Sequence, residues 1–273
     1  MLISHELRLV LSFLVPFALT YYTIPRIIEK MTHAGMVGHD VNKLDRPQVP
    51  EMGGISIILG FSLGASFVVA LIKHFDSYDS YFLLVSISVL CIASLIGLMD
   101  DVSILGRKEK AWFISFASLP LLISQSGNSK IDFLLIEFDF VAVNLDLIYW
   151  LIIVPFGITC CANALNMSAG YNGLESGQMA IISLSMLIIS YINDVDESIL
   201  LILGSMLGSL TAFYLFNKYP AKIFIGDIGT LGFGSLIAAV AVMSNQIIFG
   251  IICISPSFFE LYATIKYKLK GIE

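Results

Sequence analysis

The amino-acid sequence predicts an all-α, polytopic bundle of about nine membrane-spanning helices, with the N-terminus outside and the C-terminus in the cytoplasm. Three observations carry this. Of the 273 residues, 57% are hydrophobic and 13% charged, with a mean hydropathy of +0.88; a soluble domain is about 45–50% apolar and about 25% charged. Apolar runs able to cross a hydrocarbon core of about 30 Å recur along the whole chain. Lys and Arg concentrate on alternate connections between those runs.

The runs cover 7–24, 53–73, 82–99, 111–125, 147–163, 178–192, 198–217, 231–243 and 246–265. The first lacks the small-residue cleavage site of a secretory signal, closes on Tyr21, Tyr22 and Pro25, and is followed by many more, so it reads as a span. The fourth and eighth are short. The fifteen Lys and Arg residues test the order. Arg26, Lys30, Lys43, Arg46, Arg107, Lys108, Lys110, Lys218, Lys222, Lys266, Lys268 and Lys270 fall on one face, and only Arg8, Lys73 and Lys130 on the other. By the positive-inside bias the richer face is cytoplasmic. A miscounted span would scramble this segregation downstream of the error. On the outer face, residues 126–146 alternate acids with apolar residues, as in Ile131-Asp132-Phe133 and Phe138-Asp139-Phe140, and are expected to form a short external β-hairpin.

Several function classes are set aside by composition. A net charge of −6 gives no support to nucleic-acid binding, and no run of like charges suggests a disordered tail. Cys91, Cys160, Cys161 and Cys253 lie in apolar stretches without metal-ligand spacing and read as buried free thiols.

Four segments on the cytoplasmic face hold polar residues that solvation alone explains poorly. The loop before the second span contains His39-Asp40-Val41, then Pro47, Pro50, Glu51 and the Gly53-Gly54 pair. Its prolines fix the backbone, although composition alone also fits a solvated linker. The third span ends in Asp100-Asp101, two adjacent carboxylates at the negative end of a helix dipole. A cation should offset them: Arg107 and Lys110 share the loop, and a divalent metal would serve better. Solvated acids marking a helix end are the alternative. Residues 163–178 carry Asn163, Asn166 and Asn172, three glycines and no Lys or Arg. Irregular backbone near membrane depth is tolerated where it packs in protein or lines a wet cavity, and amides can bind a base and a pyrophosphate without adding charge. In the fourth segment Asp227 lies between glycines where a helix begins, and a helix N-cap explains such an Asp equally well. Together the segments are more specific. Phosphoryl transfer needs a hard divalent cation on carboxylate or amide oxygens and a cationic side chain against the phosphate charge. Asp100, Asp101, Asn166 and Asp227 offer the oxygens and Lys110 the cation.

At these residues the sequence resembles the polyprenyl-phosphate N-acetylhexosamine-1-phosphate transferases. NALNMSAGYNGLESGQ (163–178), HDVNKLDRPQVPEMGG (39–54), LMDDV (98–102) and IFIGDIG (223–229) are most similar to the dolichyl-phosphate branch. The resemblance covers essentially the whole chain, as one integral membrane catalytic domain over 1–273. It implies transfer of GlcNAc-1-phosphate from UDP-GlcNAc to dolichyl or another polyprenyl phosphate, with release of UMP, the opening step of lipid-linked oligosaccharide assembly for N-glycosylation. It further implies Mg²⁺, with Mn²⁺ as a substitute, held by Asn166 and Asp227. Asp100 and Asp101 match the paired acids, and Lys110 a lysine on the diphosphate. Asn172 matches the asparagine that reads uracil. Asp40, Val41 and Glu51 match the loop that closes over the nucleotide sugar, and Asn163 joins the substrate-binding set, with the 159–167 stretch bordering the lipid-phosphate groove. The branch occurs in archaea and eukaryotes, which implies a prokaryotic, archaeal cell membrane with a cytoplasmic active site, or alternatively the endoplasmic reticulum. A homodimer is compatible with the resemblance.

One departure is visible. Family members usually continue into a cytoplasmic loop with Arg or His near the sugar and pyrophosphate and then a last helix; Lys266, Lys268 and Lys270 do not match that loop. The competing enzymatic reading is a bacterial-type relative that uses undecaprenyl phosphate or another UDP-activated N-acetyl sugar. A transporter would place ionisable groups near the bilayer midplane, whereas here Glu260 alone lies clearly within a predicted span.

Overall fold

The computed structural model describes residues 4–41, 43–75, 80–103, 105–124, 130–133, 136–139 and 146–269. With no water available in hydrocarbon, an apolar run must satisfy its backbone within itself, and helices dominate accordingly. The first, α1 (His5–His33), begins under the Ser4 side chain and carries Lys30 and His33 in its last turn, where they suit the dipole. It runs through Pro25, where the apolar run was expected to end. Beside that proline the Thr23 hydroxyl and Arg26 guanidinium donate to the carbonyls of Thr20 and Tyr22, at 2.9 and 3.0 Å. The next connection, expected to be an irregular loop, holds an antiparallel hairpin of β1 (Val37–His39) and β2 (Gln48–Pro50), with Val37 opposite Pro50 and His39 opposite Gln48.

Helices α2 (Gly54–Phe75) and α3 (Tyr81–Ser103) follow the second and third apolar runs. The fourth run is not a single α-helix: α4 (Arg107–Ser115) passes through a 3₁₀ turn, Phe116–Ser118, into α5 (Leu119–Ser124). Pro120 is the cause, because it has no N–H for the Phe116 carbonyl, which instead accepts from Leu119 in the tighter geometry. Strands β3 (Lys130–Phe133) and β4 (Ile136–Asp139) pair antiparallel inside the segment expected to be a hairpin; the rest of that segment up to 145 lies outside the described residues. Then come α6 (Asp146–Ile148), a π-helical turn (Tyr149–Ile153), α7 (Val154–Met167), α8 (Leu174–Ile192), α9 (Glu197–Asn217), α10 (Gly226–Met243) and α11 (Ile247–Leu269).

Among the described residues seven helical stretches are long and apolar enough to cross a membrane, two fewer than the sequence predicts. The 107–124 stretch and α11, whose apolar part is Ile247–Glu260, fall outside the seven. The chain is an all-α integral membrane protein. Its centre is α10, which packs on α2, α3, α7, α8, α9 and α11; 83% of its most apolar window is buried, against 22% for α1, so α1 is a peripheral helix. The thiols vary more than expected: Cys161 is buried, but Cys91 is exposed on α3 and Cys160 and Cys253 are intermediate. In a bilayer an exposed apolar face meets lipid, so hydropathy does not report which face is inside.

Contacts between helix ends sort them into two groups. Glu197 at the start of α9 accepts from Arg8 Nη1 at 3.1 Å and lies 2.9 Å from His5 Nδ1, tying α9 to the start of α1. At the opposite end the C-termini of α3, α7 and α9 meet the N-termini of α2, α4, α8 and α10.

Candidate active site

The site is built where α3 ends and α10 begins. Adjacent residues on a helix point about 100° apart, so Asp100 and Asp101 reach different partners. Asp101 turns to α10: its carboxylate accepts from the backbone N–H of Asp227 at 2.8 Å and of Ile228 at 3.0 Å. The N-cap residue Ile225 has no side chain to do this, and Gly226, at φ +73°, brings the chain in through the left-handed region. The capping role considered for Asp227 therefore belongs to Asp101, because Asp227 already lies inside the first turn and faces the other way. Gly97 makes the approach feasible: a Cβ there would come within 2.4 Å of the Asp227 carbonyl oxygen.

Asp100 accepts from Leu105 N–H at 2.6 Å through Oδ1 and pairs with the Lys110 ammonium through Oδ2. Lys110 also pairs with Asp227 Oδ2 and donates to Asn166 Oδ1 at 3.3 Å. Asn166, in the last turn of α7, donates from Nδ2 to Asp227 Oδ1 and to Thr230 Oγ1, each at 2.8 Å. Burial works against the lysine charge, but the hydrogen bonds and negative charge of Asp100 and Asp227 outweigh it and hold the ammonium above its ordinary pKa. Three stretches far apart in sequence, 100–110, 166 and 227–230, thus converge on one polar cluster.

The donor set suits a hard divalent cation. Among the described residues no group of three or more His, Cys, Asp or Glu side chains gathers as a metal cage. Asp100 and Asp227 supply carboxylate oxygens, and Asn166 an amide oxygen, all turned to one point already occupied by a cation, the lysine ammonium. Two carboxylates and an amide leave positions for water and phosphate oxygens, as Mg²⁺ sites commonly do.

A cavity of about 240 Å³ opens beside this cluster, walled by Asp227 and Thr230 together with Asp40, Val41, Glu51 and Asn172. Asp40 is buried, only 2% exposed, and accepts from the Asn172 amide at 2.9 Å while pairing with Lys43 at 2.9 Å. The Lys43 ammonium also lies 5.1 Å from the centre of the Tyr219 ring. Thus the first loop, the Asn/Gly loop and the end of α9 are joined over the cavity. Residues 50–54 lie against 224–225 through three backbone bonds of 2.8 Å: Phe224 N to Pro50 O, Gly53 N to Phe224 O and Gly54 N to Ile225 O. Glu51 folds across Gly38, where a Cβ would come within 2.0 Å of its Oε1. Burial, and then the negative charge of Asp227, raise the Glu51 carboxyl above its ordinary pKa.

One predicted site residue is not brought into this arrangement. The Asn163 amide donates to the Thr159 carbonyl of its own helix at 2.8 Å, away from the residues that wall the cavity. Three residues that sequence reasoning left unassigned do line it: Thr230, Glu175 and Asn217. Thr230 was legible, since i and i+3 share a helix face and Asp227 had been singled out. Glu175 lies within the Asn/Gly motif yet is buried in the first turn of α8. Asn217 carries no local signal; it closes α9 by accepting from Ser176 at 2.6 Å and donating to the Ile223 carbonyl at 2.9 Å. A second cavity, about 440 Å³ and almost wholly apolar, lies between α7, α10 and α11, lined by Ile158, Cys161, Ala238 and Ile254 among others.

Comparison with known proteins places this arrangement. The sequence profile described as glycosyl transferase family 4 matches residues 82–245. A Saccharolobus solfataricus protein, provisionally named UDP-N-acetylglucosamine–dolichyl-phosphate N-acetylglucosaminephosphotransferase, is 34% identical over 97% of this chain and 80% of its own length. A Sulfolobus acidocaldarius protein of the same provisional name is 31% identical over 97% of this chain and 80% of its own. The phospho-N-acetylmuramoyl-pentapeptide-transferase of Streptococcus pyogenes is 27% identical over 87% of this chain and 70% of its own. With matches of this extent, the chain belongs to glycosyl transferase family 4.

Proposed function

We propose that this protein transfers GlcNAc-1-phosphate from UDP-GlcNAc to dolichyl phosphate, or to another polyprenyl phosphate, releasing UMP and opening the assembly of a lipid-linked oligosaccharide. The observation that carries the proposal is the convergence of Asp100, Lys110 and Asn166 on Asp227, a residue that also lines the cavity beside them. The two archaeal relatives support UDP-GlcNAc and dolichyl phosphate as substrates, by the names they bear. The positive-inside bias of the sequence supports a cytoplasmic position for this end of the bundle, where a nucleotide sugar is available.

In this reading the nucleotide sugar occupies the cavity under the first loop, with Asn172 near the base. Asp100, Asn166 and Asp227 would hold Mg²⁺ or Mn²⁺, which when bound neutralises diphosphate charge. Lys110 adds a second cation beside the diphosphate. A phosphate monoester has a second pKa near 6 and is largely dianionic at neutral pH, so the acceptor needs little help from a base. Its oxygen attacks the β-phosphorus, the bond to the bridging oxygen breaks, and UMP leaves. The chain's own task is then to position the two phosphates and offset their charge. The apolar cavity between α7, α10 and α11 offers room for part of an isoprenoid chain.

Purified protein in lipid, given radiolabelled UDP-GlcNAc and dolichyl phosphate with and without Mg²⁺, tests this. Metal-dependent passage of label into organic solvent with stoichiometric UMP is the expected result; UDP as the released nucleotide, or no lipid-linked label, contradicts it. Label transfer to undecaprenyl phosphate alone would instead favour a reaction closer to that named for the streptococcal relative.

A further inference from the structure

We infer that Lys110 is a resident cation of the divalent-metal cage, which the metal displaces, so that metal and nucleotide diphosphate bind cooperatively. The inference rests on the metal site proposed above and concerns what occupies it in the free protein. Each ligand is oriented by an anchored second atom. Asp100 Oδ1 is fixed on Leu105 N–H at 2.6 Å, Asp227 Oδ1 on the Asn166 amide at 2.8 Å, and that amide also on Thr230 at 2.8 Å. The atoms left over, Asp100 Oδ2, Asp227 Oδ2 and Asn166 Oδ1, all contact the same lysine nitrogen. Asp101 adds none, since its carboxylate is occupied on the backbone of α10.

A divalent ion that takes these oxygens cannot share them with an ammonium. Two like charges a few ångströms apart repel strongly at the low effective dielectric of a half-buried site. Lysine is suited to leaving, because it is a point charge on a flexible four-carbon stem. It needs somewhere to go, and the adjoining cavity shares Asp227 and Thr230 with the cluster. A diphosphate in that cavity offers the displaced ammonium a new anion. Without nucleotide, metal affinity is lowered by the fraction of molecules in which the lysine is away from the oxygens; with nucleotide, that penalty is relieved. Linkage requires the reciprocal effect, with metal tightening nucleotide binding by the same factor.

The test is Mn²⁺ binding to the purified chain in nanodiscs, followed by electron paramagnetic resonance, for the wild type and Lys110→Met, with UDP, with uridine and with neither. Lys110→Met is expected to bind Mn²⁺ at least about tenfold tighter than wild type without nucleotide, with a smaller further gain on adding UDP. Equal or weaker Mn²⁺ binding by the variant overturns the inference, since a lysine that merely supports the site would be missed on removal. In the wild type, saturating Mn²⁺ without nucleotide should expose Lys110 to an amine-reactive reagent, read by mass spectrometry. Unchanged protection while Mn²⁺ is bound also overturns the inference, whether or not the variant folds. If neither protein binds Mn²⁺ even with UDP, the metal site itself is wrong and the exchange falls with it.

Discussion

Asp101, near the end of α3, accepts a hydrogen bond from the backbone N–H of Asp227 at the start of α10, 126 residues away, and so sets the position of the carboxylate beside Lys110. A carboxylate on the unpaired N–H groups of a helix's first turn is a favourable pairing in its own right. Asp101→Asn keeps one acceptor oxygen but turns an amide NH₂ toward the second N–H, leaving a half-buried donor without a partner. The expected cost is about 1–2 kcal/mol of stability, seen as a lower thermal unfolding temperature in detergent, together with reduced turnover because Asp227 is displaced.

The contact between these helices also depends on Gly97. Gly97→Ala would bring a methyl group within 2.4 Å of the Asp227 carbonyl oxygen, an atom of the backbone that cannot rotate away. Overpacking of this kind costs about 1–3 kcal/mol. Gly157→Ala on α7 meets nothing within 4 Å and serves as the comparison; its unfolding temperature should stay level or rise, as alanine favours a helix by about 0.5–1 kcal/mol over glycine. Equal losses for the two variants would show that the α3–α10 approach is looser than described.

Asp227→Asn and Asn166→Ala should each lower Mg²⁺-dependent label transfer at least about 100-fold, with little change in the amount of folded protein. Asp227 and Asn166 hydrogen-bond one another, so the double variant should lose much less than the sum of the two single effects. Full turnover in either single variant contradicts the placement of the cation.

Asp40→Ala removes the acceptor shared by Asn172 and Lys43, and so loosens the first loop from the Asn/Gly loop. These contacts lie over the cavity, away from the Asp100–Lys110–Asp227 cluster. The expected result is a KM for UDP-GlcNAc raised about tenfold, near 1.4 kcal/mol, with kcat close to that of wild type, the signature of lost uniform binding. Asn172→Ala should shift KM in the same direction. A fall in kcat with KM unchanged would move Asp40 out of the binding role.

The amino-acid sequence by itself determined the class of the fold and most of the site's components. Hydrocarbon admits only segments whose backbone is satisfied internally, so long apolar runs such as 198–217 become helices whatever their neighbours do. Alternation of direction along those helices then assigns Asp40, Asp100, Asn166 and Asp227 to one end, without knowledge of any contact. Local breaks were partly legible too: Pro120 interrupts its helix as a missing N–H requires, whereas Pro25 does not. Only the tertiary structure decided how the polar residues are used. Asp100 and Asp101 are chemically identical in sequence, and their division into a partner of Lys110 and a cap for α10 depends on which way each side chain points once α3 and α10 touch at Gly97. Asn163 and Asn166 are alike in the same sense; one bonds its own helix and the other bridges to α10. Such assignments are set by packing between segments more than a hundred residues apart in places, and no local pattern of apolar and polar residues encodes them.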